Sequence, residues 1–247
     1  MRFLKRKLML GIIFLISCLN IFAYINLSPS TLDKNIGKGA YEEYTLWNET
    51  SIPFRYKITP VAMTENKKVK DMSKWVEVYP KIVTVNPQES QKFKVYIKAP
   101  KDSLTGDYGT FLNIRQMSAP KIKGEKEQQS LGAGMIIMVN VNLGIYGYVG
   151  DENPQLNYTE LLVYKKDNKS YLKMKVENKT NRLVKVKVEV EGKKGYIYPI
   201  GNARAFKGEL LGFDHEIKNL KDMKAKKVIL TDVETGKIIK EIKIKNN

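Results

Sequence analysis

From position 135 to 145 every odd residue is apolar: Met135, Ile137, Val139, Val141, Leu143 and Ile145. The even positions between them pass from Ile136 and Met138 to Asn140, Asn142 and Gly144. A period of two places alternate side chains on opposite faces of a strand, so this segment predicts a long strand with one continuous apolar face. Such a strand, left unpaired, is a template for another chain, and a protein that keeps one has a use for it.

The same period recurs with lysine as the polar partner. Val184, Val186, Val188 and Val190 alternate with Lys185, Lys187 and Glu189, and Phe93, Val95 and Ile97 alternate with Lys92, Lys94, Tyr96 and Lys98. Further strands are predicted at 24–32, 40–48, 54–58, 75–79, 81–85, 108–115, 161–164, 170–176 and 183–190, and at 228–231 paired with 237–245. Turn residues separate them: 49–53, 86–90, 100–106, 165–169 as a hairpin, 178–182 and 232–236. Residues 63–73 read as a loop, as does the stretch containing His215, and 120–130 read as a charged loop with almost no apolar content. Asp151 to Pro154 marks a hinge. Short strands at this spacing, with no long amphipathic helix, predict an all-β protein of two β-sandwich domains, the first immunoglobulin-like, over 24–150 and 151–247.

The first 23 residues read differently. Arg2, Lys5, Arg6 and Lys7 precede an apolar run from Leu8 to Ile16 and a small residue at Ala23, the order of an export signal cleaved after Ala23. Two alternatives stay open: Leu15 to Cys18 also fits a lipobox in which Cys18 carries lipid, and an uncleaved signal would act as an anchor. Cys18 is the sole cysteine, so a chain cleaved after Ala23 has no disulfide, thiolate catalyst or cysteine-held metal. His215 is the sole histidine, with no nucleophile or orienting carboxylate nominated by spacing, and no nucleotide-binding or zinc motif occurs. The expectation is therefore a protein without catalytic residues, metal or cofactor.

The formal charge is +17, of which the signal contributes four, leaving +13 beyond it. An excess of this size can draw nucleic acid or an anionic membrane. The lysines, however, alternate with apolar residues, which spreads them over solvated sheet faces where they also oppose unwanted strand pairing. Nucleic acid is not an expected partner, and a membrane is expected only if Cys18 is lipidated or the signal stays uncleaved.

Leu27 to Pro29, Tyr44 to Asn48, Trp75, Val78 to Pro80, Val85 to Val95 and Gly106 to Leu112 occur in that order, followed by the charged loop and its alternating strand. Through these elements the first half resembles the periplasmic pilus-assembly chaperones of the PapD type. The second half is similar only in general plan. The resemblance implies two immunoglobulin-like domains that hold a pilin-like exported subunit and deliver it to an outer-membrane usher. It also implies that Met135, Ile137, Val139, Val141 and Leu143 complete the subunit's sheet, a form of strand addition. The family anchors the subunit's terminal carboxylate with an arginine in the first strand and a lysine in the strand after the loop. This sequence departs there, with no arginine from Leu27 to Leu32 and with Asn142 at the second position. The expected function is a periplasmic chaperone-like protein that stabilises a fimbrial or other surface subunit. The alternative is a structural or adhesive sandwich protein, lipid-anchored at the outer membrane or cell surface through Cys18.

Overall fold

A computed structural model describes residues 26–117, 138–150, 153–192, 195–220 and 225–244. The signal segment, Cys18, the charged loop, Met135 and Ile137 lie outside the described residues.

Ten strands precede residue 150: β1 (Asn26–Ser28), β2 (Asp33–Asn35), β3 (Ala40–Trp47), β4 (Phe54–Ala62), β5 (Lys70–Asp71), β6 (Val76–Tyr79), β7 (Ile82–Val85), β8 (Ser90–Ile97), β9 (Gly106–Met117) and β10 (Asn140–Val149). They form one sheet in the order β1-β3-β8-β6 and a second in the order β2-β10-β9-β4-β7, with β5 also pairing with β9. The lysine alternation of β8 has the expected result: Phe93, Val95 and Ile97 are buried while Lys92 and Lys94 are exposed. Tyr44 stacks on Phe93 at 5.1 Å between ring centres, and both belong to a core completed by Leu46, Ile58, Leu112, Ile114 and Ile145.

Seven strands follow: β11 (Leu156–Lys166), β12 (Lys169–Asn178), β13 (Val184–Gly192), β14 (Ile197–Ala205), β15 (Leu210–Glu216), β16 (Ala225–Asp232) and β17 (Ile238–Lys243). Their sheets run β11-β12-β15 and β14-β13-β16-β17. The inward valines of β13 pack with Leu172, Met174, Val176, Val228 and Leu230 in a second core. Asp167 and Asn168 take positive φ (49° and 59°) in the two-residue turn that joins β11 to β12, a conformation Asp and Asn tolerate.

Three expectations need correction. The single strand expected at 24–32 is broken: β1 pairs with β3 in one sheet and β2 pairs with β10 in the other. Pro29 lacks a backbone donor, so the chain leaves the first ladder there and crosses to the second sheet. His215, expected in a loop, lies in β15 opposite Leu172. The sequence reading also missed β14 and β15 as strands. Pro199 and Gly201 flank a register shift against β13, which erases the period-two signal of β14, and β15 is a largely exposed strand paired on one side only.

The two sandwiches meet through a small apolar cluster of Tyr148, Leu183 and Phe206, with Val69 and Tyr146 against it. Polar groups frame it. Leu183 N–H donates to Asp107, Asn35 N–H donates to Glu234 at 2.9 Å, and Lys68 bridges to Glu209 at 2.6 Å.

Candidate functional site

β10 pairs antiparallel with β9 along its whole length, Asn140 opposite Arg115 through to Val149 opposite Gly106. The ladder extends one residue further, where Gln116 N–H donates to the Val139 carbonyl at 2.8 Å and Val139 N–H donates to the Gln116 side chain at 3.1 Å. Backbone groups in an antiparallel ladder alternate sides, so the odd residues of β10 direct theirs to β9 and the even residues away from it. Two bonds on the far side agree: Tyr146 N–H donates to the Leu32 carbonyl at 2.8 Å, and Ile36 N–H donates to the Tyr148 carbonyl at 2.9 Å.

That far side is only half covered. β2 pairs with β10 at Tyr146, Gly147 and Tyr148. Opposite Asn140, Asn142 and Gly144 no strand lies among the described residues. Among the described residues, three residues' worth of outward N–H and C=O groups therefore form an open edge, the backbone requirement for adding a strand.

The side chains change character along the same line. Ile145 is fully buried in the first core and Leu143 packs half-buried against it. Val139 is half-buried, Val141 is 40% exposed and Met138 is 49% exposed. The apolar stripe thus leaves its own core as it runs toward the charged loop. On the other face, the Asn113 amide donates to the side-chain oxygens of Asn140 and Asn142, at 2.8 Å each, which ties these residues to β9 and spends the Asn142 carbonyl internally. Of the residues expected to bind a partner, the described structure therefore places Val139, Val141 and Asn142 at the open half. It places Leu143 at the point where that half meets the core.

The closed end is held by the second domain. The Arg204 guanidinium bonds Asp33 and Thr31 and stacks over Tyr146 at 4.0 Å from the ring centre, and Lys185 stands 3.5 Å from the same Asp33. Tyr146 also meets Phe206 edge to face. Deeper in the junction, Arg182 stacks over Tyr148 at 4.3 Å, and the Tyr148 hydroxyl donates to Glu234. Burial first, and then the Glu234 carboxylate, raise the Tyr148 phenol well above its ordinary range. Burial likewise raises Asp107 above the ordinary aspartate value, against the opposing pull of the Leu183 and Lys207 N–H groups. Sequence reasoning missed Asp33, Arg204, Lys185 and Asp107. Nothing in the local pattern marks them, because the partners of Asp33 lie more than 150 residues away in the chain.

Two sandwiches of mainly antiparallel strands, joined by a bonded junction, define a two-domain all-β protein of the immunoglobulin-like sandwich class, with β10 paired on both sides over only part of its length among the described residues. No protein-family model matches the chain, and no curated protein matches it. Among solved structures it is similar to the E. coli chaperone DraB, at 10% identity and a TM-score of 0.45 over 90% of this chain and 98% of that one. It is also similar to a chain from the Salmonella enterica complex of the SafA pilin with the SafB chaperone, at 12% identity and a TM-score of 0.46 over 90% and 96%. A further likeness is to the Pseudomonas aeruginosa CupB2 chaperone, at 13% identity and a TM-score of 0.44 over 89% and 100%. Chaperones thus recur among these similar structures.

Proposed function

We propose that this is a non-enzymatic, chaperone-like exported protein, acting in the periplasm, that stabilises a fimbrial or other surface subunit by adding the open half of β10 to the subunit's incomplete sheet. The observation that carries the reading is the edge at Asn140, Asn142 and Gly144, unpaired among the described residues and flanked by the exposed apolar side chains of Met138 and Val141. Backbone pairing gives affinity without demanding a particular partner sequence, while alternate side chains fill pockets and set the register. Burying Val139 and Val141 in such pockets contributes roughly 1.5 to 3 kcal/mol each before the cost of ordering. An outer-membrane usher is the receiver this role calls for.

The anchoring charge has a different source from the family pattern. Asn142 is neutral and already bonded to Asn113, whereas Arg204 and Lys185 gather around Asp33 where the edge closes. Two cations on one carboxylate leave an excess positive charge at that end. A partner strand running along β10 would bring its terminal carboxylate toward this cluster, supplied by the second domain instead of the first strand.

Hydrogen exchange tests the proposal. In the free protein the amides of Asn140, Asn142 and Gly144 should exchange fast while those of Val141, Leu143 and Ile145 are protected. With a pilin-type subunit lacking its last strand, the first set should become protected as well, and a V139D/V141D variant should remain folded but fail to retain the subunit. Protection of Asn140, Asn142 and Gly144 in the monomer would sink the idea.

A further inference from the structure

A second polar feature sits at the domain junction, away from the open edge. A cavity of about 410 Å³ is lined by Lys67 and Lys68 from the segment between β4 and β5, by Lys70 of β5, by Thr105 just before β9 and Asp107 at its start, and by Lys207 from the turn between β14 and β15. Four solvent-exposed lysines from both domains line one concavity, where their like charges add to a positive potential.

The internal offsets are incomplete. Lys68 is bridged to Glu209 at 2.6 Å, and that pair is neutral. Lys70 lies over the Tyr108 ring at 5.5 Å, which is attractive but supplies no counter-charge. Among the described residues Lys67, Lys70 and Lys207 form no salt bridge, and the Lys207 charge acts on Asp107 without a direct contact. Asp107, the carboxylate in the lining, is buried and already accepts the Leu183 and Lys207 backbone N–H groups. Three unbridged lysines against one carboxylate leave a net positive charge in the cavity.

We infer that this junction cavity binds a phosphate group, held by Lys67, Lys70 and Lys207 with Thr105 at its rim. A phosphate carries about −1.5 to −2 charge near neutral pH and offers at least three strong acceptor oxygens. Both properties match the three ammonium groups, each with several donors to place. A carboxylate, with one charge and two oxygens, would leave part of the lysine charge uncompensated. The phosphate comes either free in solution or as the monoester headgroup of a lipid, and its lysines span both domains, so occupancy would clamp the junction. This site is independent of strand addition.

The test is a titration of the full chain, in phosphate-free buffer of low ionic strength, with inorganic phosphate, following the amide resonances of 67–70, 105–107 and 207. Saturable shifts are expected there, and K67A/K70A/K207A should weaken binding by about tenfold or more. A control with the same loss of charge at exposed lysines elsewhere, K81A/K94A/K101A, should bind as the parent does. Far-UV circular dichroism checks that the variants fold, and K67Q/K70Q/K207Q serves if the alanine variant does not. Flotation with phosphatidylcholine vesicles, with and without phosphatidic acid, separates the sources. Lysine-dependent capture by phosphatidic acid identifies a lipid headgroup, whereas phosphate binding without capture identifies a soluble phosphate. Absence of saturable shifts, or equal weakening in the control, overturns the inference.

Discussion

β10 and β13 carry nearly the same pattern of apolar residues and opposite fates. In β13, Val184, Val186, Val188 and Val190 are fully buried, and the strand is central, paired with β14 on one side and β16 on the other. In β10 the odd residues run from Val141, 40% exposed, through Leu143 to Ile145, fully buried, and among the described residues only the second half of the strand is paired on both sides. The polar partners hint at the reason. Lys187, Glu189 and Glu191 of β13 are half-buried in ion pairs, Lys187 with Glu189 and Glu191 with Lys226 and Lys227, whereas β10 has short neutral Asn140, Asn142 and Gly144. Long charged side chains guard a sheet against unwanted approach; short neutral ones leave room for another chain.

The largest effect should come from the closed strand. Val188→Asp places a charge with no partner in the second core, and a loss of more than about 4 kcal/mol is expected, enough to unfold that domain in a urea titration. Within β10 the comparison can be drawn again on a smaller scale. Ile145→Ala should cost about 2 to 4 kcal/mol by the same measurement, and Leu143→Ala, half-buried, about half as much.

Asp107 probes the junction that closes the lower end of β10. Asp107→Ala leaves the Leu183 and Lys207 N–H groups without their acceptor and should cost about 1 to 3 kcal/mol, whereas Asp107→Asn keeps an acceptor oxygen and should recover most of it. The pH dependence has a definite sign. Burial raises Asp107 above its ordinary value of 3.8, so the folded state binds this proton more readily than the unfolded chain does. The contribution of this group to stability therefore falls as pH rises from that ordinary value through the raised one, and is restored on acidification. Asp107→Asn should remove this slope, seen as a gap between variant and parent unfolding curves that changes across the window. A gap that stays constant would show that Asp107 titrates alike in both states.

The smallest effect on stability belongs to the open half. Val141→Asp should leave unfolding within about 0.5 kcal/mol of the parent, since its side chain is partly solvated already, while removing subunit binding. If Val141→Asp unfolds the first domain as Ile145→Ala destabilises it, the distinction between the two halves of β10 disappears.

Much of this was legible beforehand because period-two patterning is local. The alternation at Phe93, Val95 and Ile97, and again at Val184 to Val190, states which side chains face a core, and the Asp167 and Asn168 turn states where a hairpin reverses. The misses share a different cause. β14 was hidden by the register shift at Pro199 and Gly201, and the break of the first strand at Pro29 sent β2 to a sheet that local pattern does not name. At the candidate site, Val139, Val141 and Leu143 could be nominated from sequence, but Arg204 reaching Asp33 and Leu183 reaching Asp107 could not, because those contacts join distant segments.

By itself, then, the sequence determined the faces of this protein: an all-β chain whose strands turn valine inward and lysine outward. Which edges stay open was decided only when the strands were assembled. Side chains differ from residue to residue and announce their preference for oil or water, while the N–H and C=O groups that make an edge are the same at almost every position. Whether Gly144 or Tyr146 keeps those groups unpaired depends on where β2 ends beside β10, a matter of tertiary placement that no periodicity encodes.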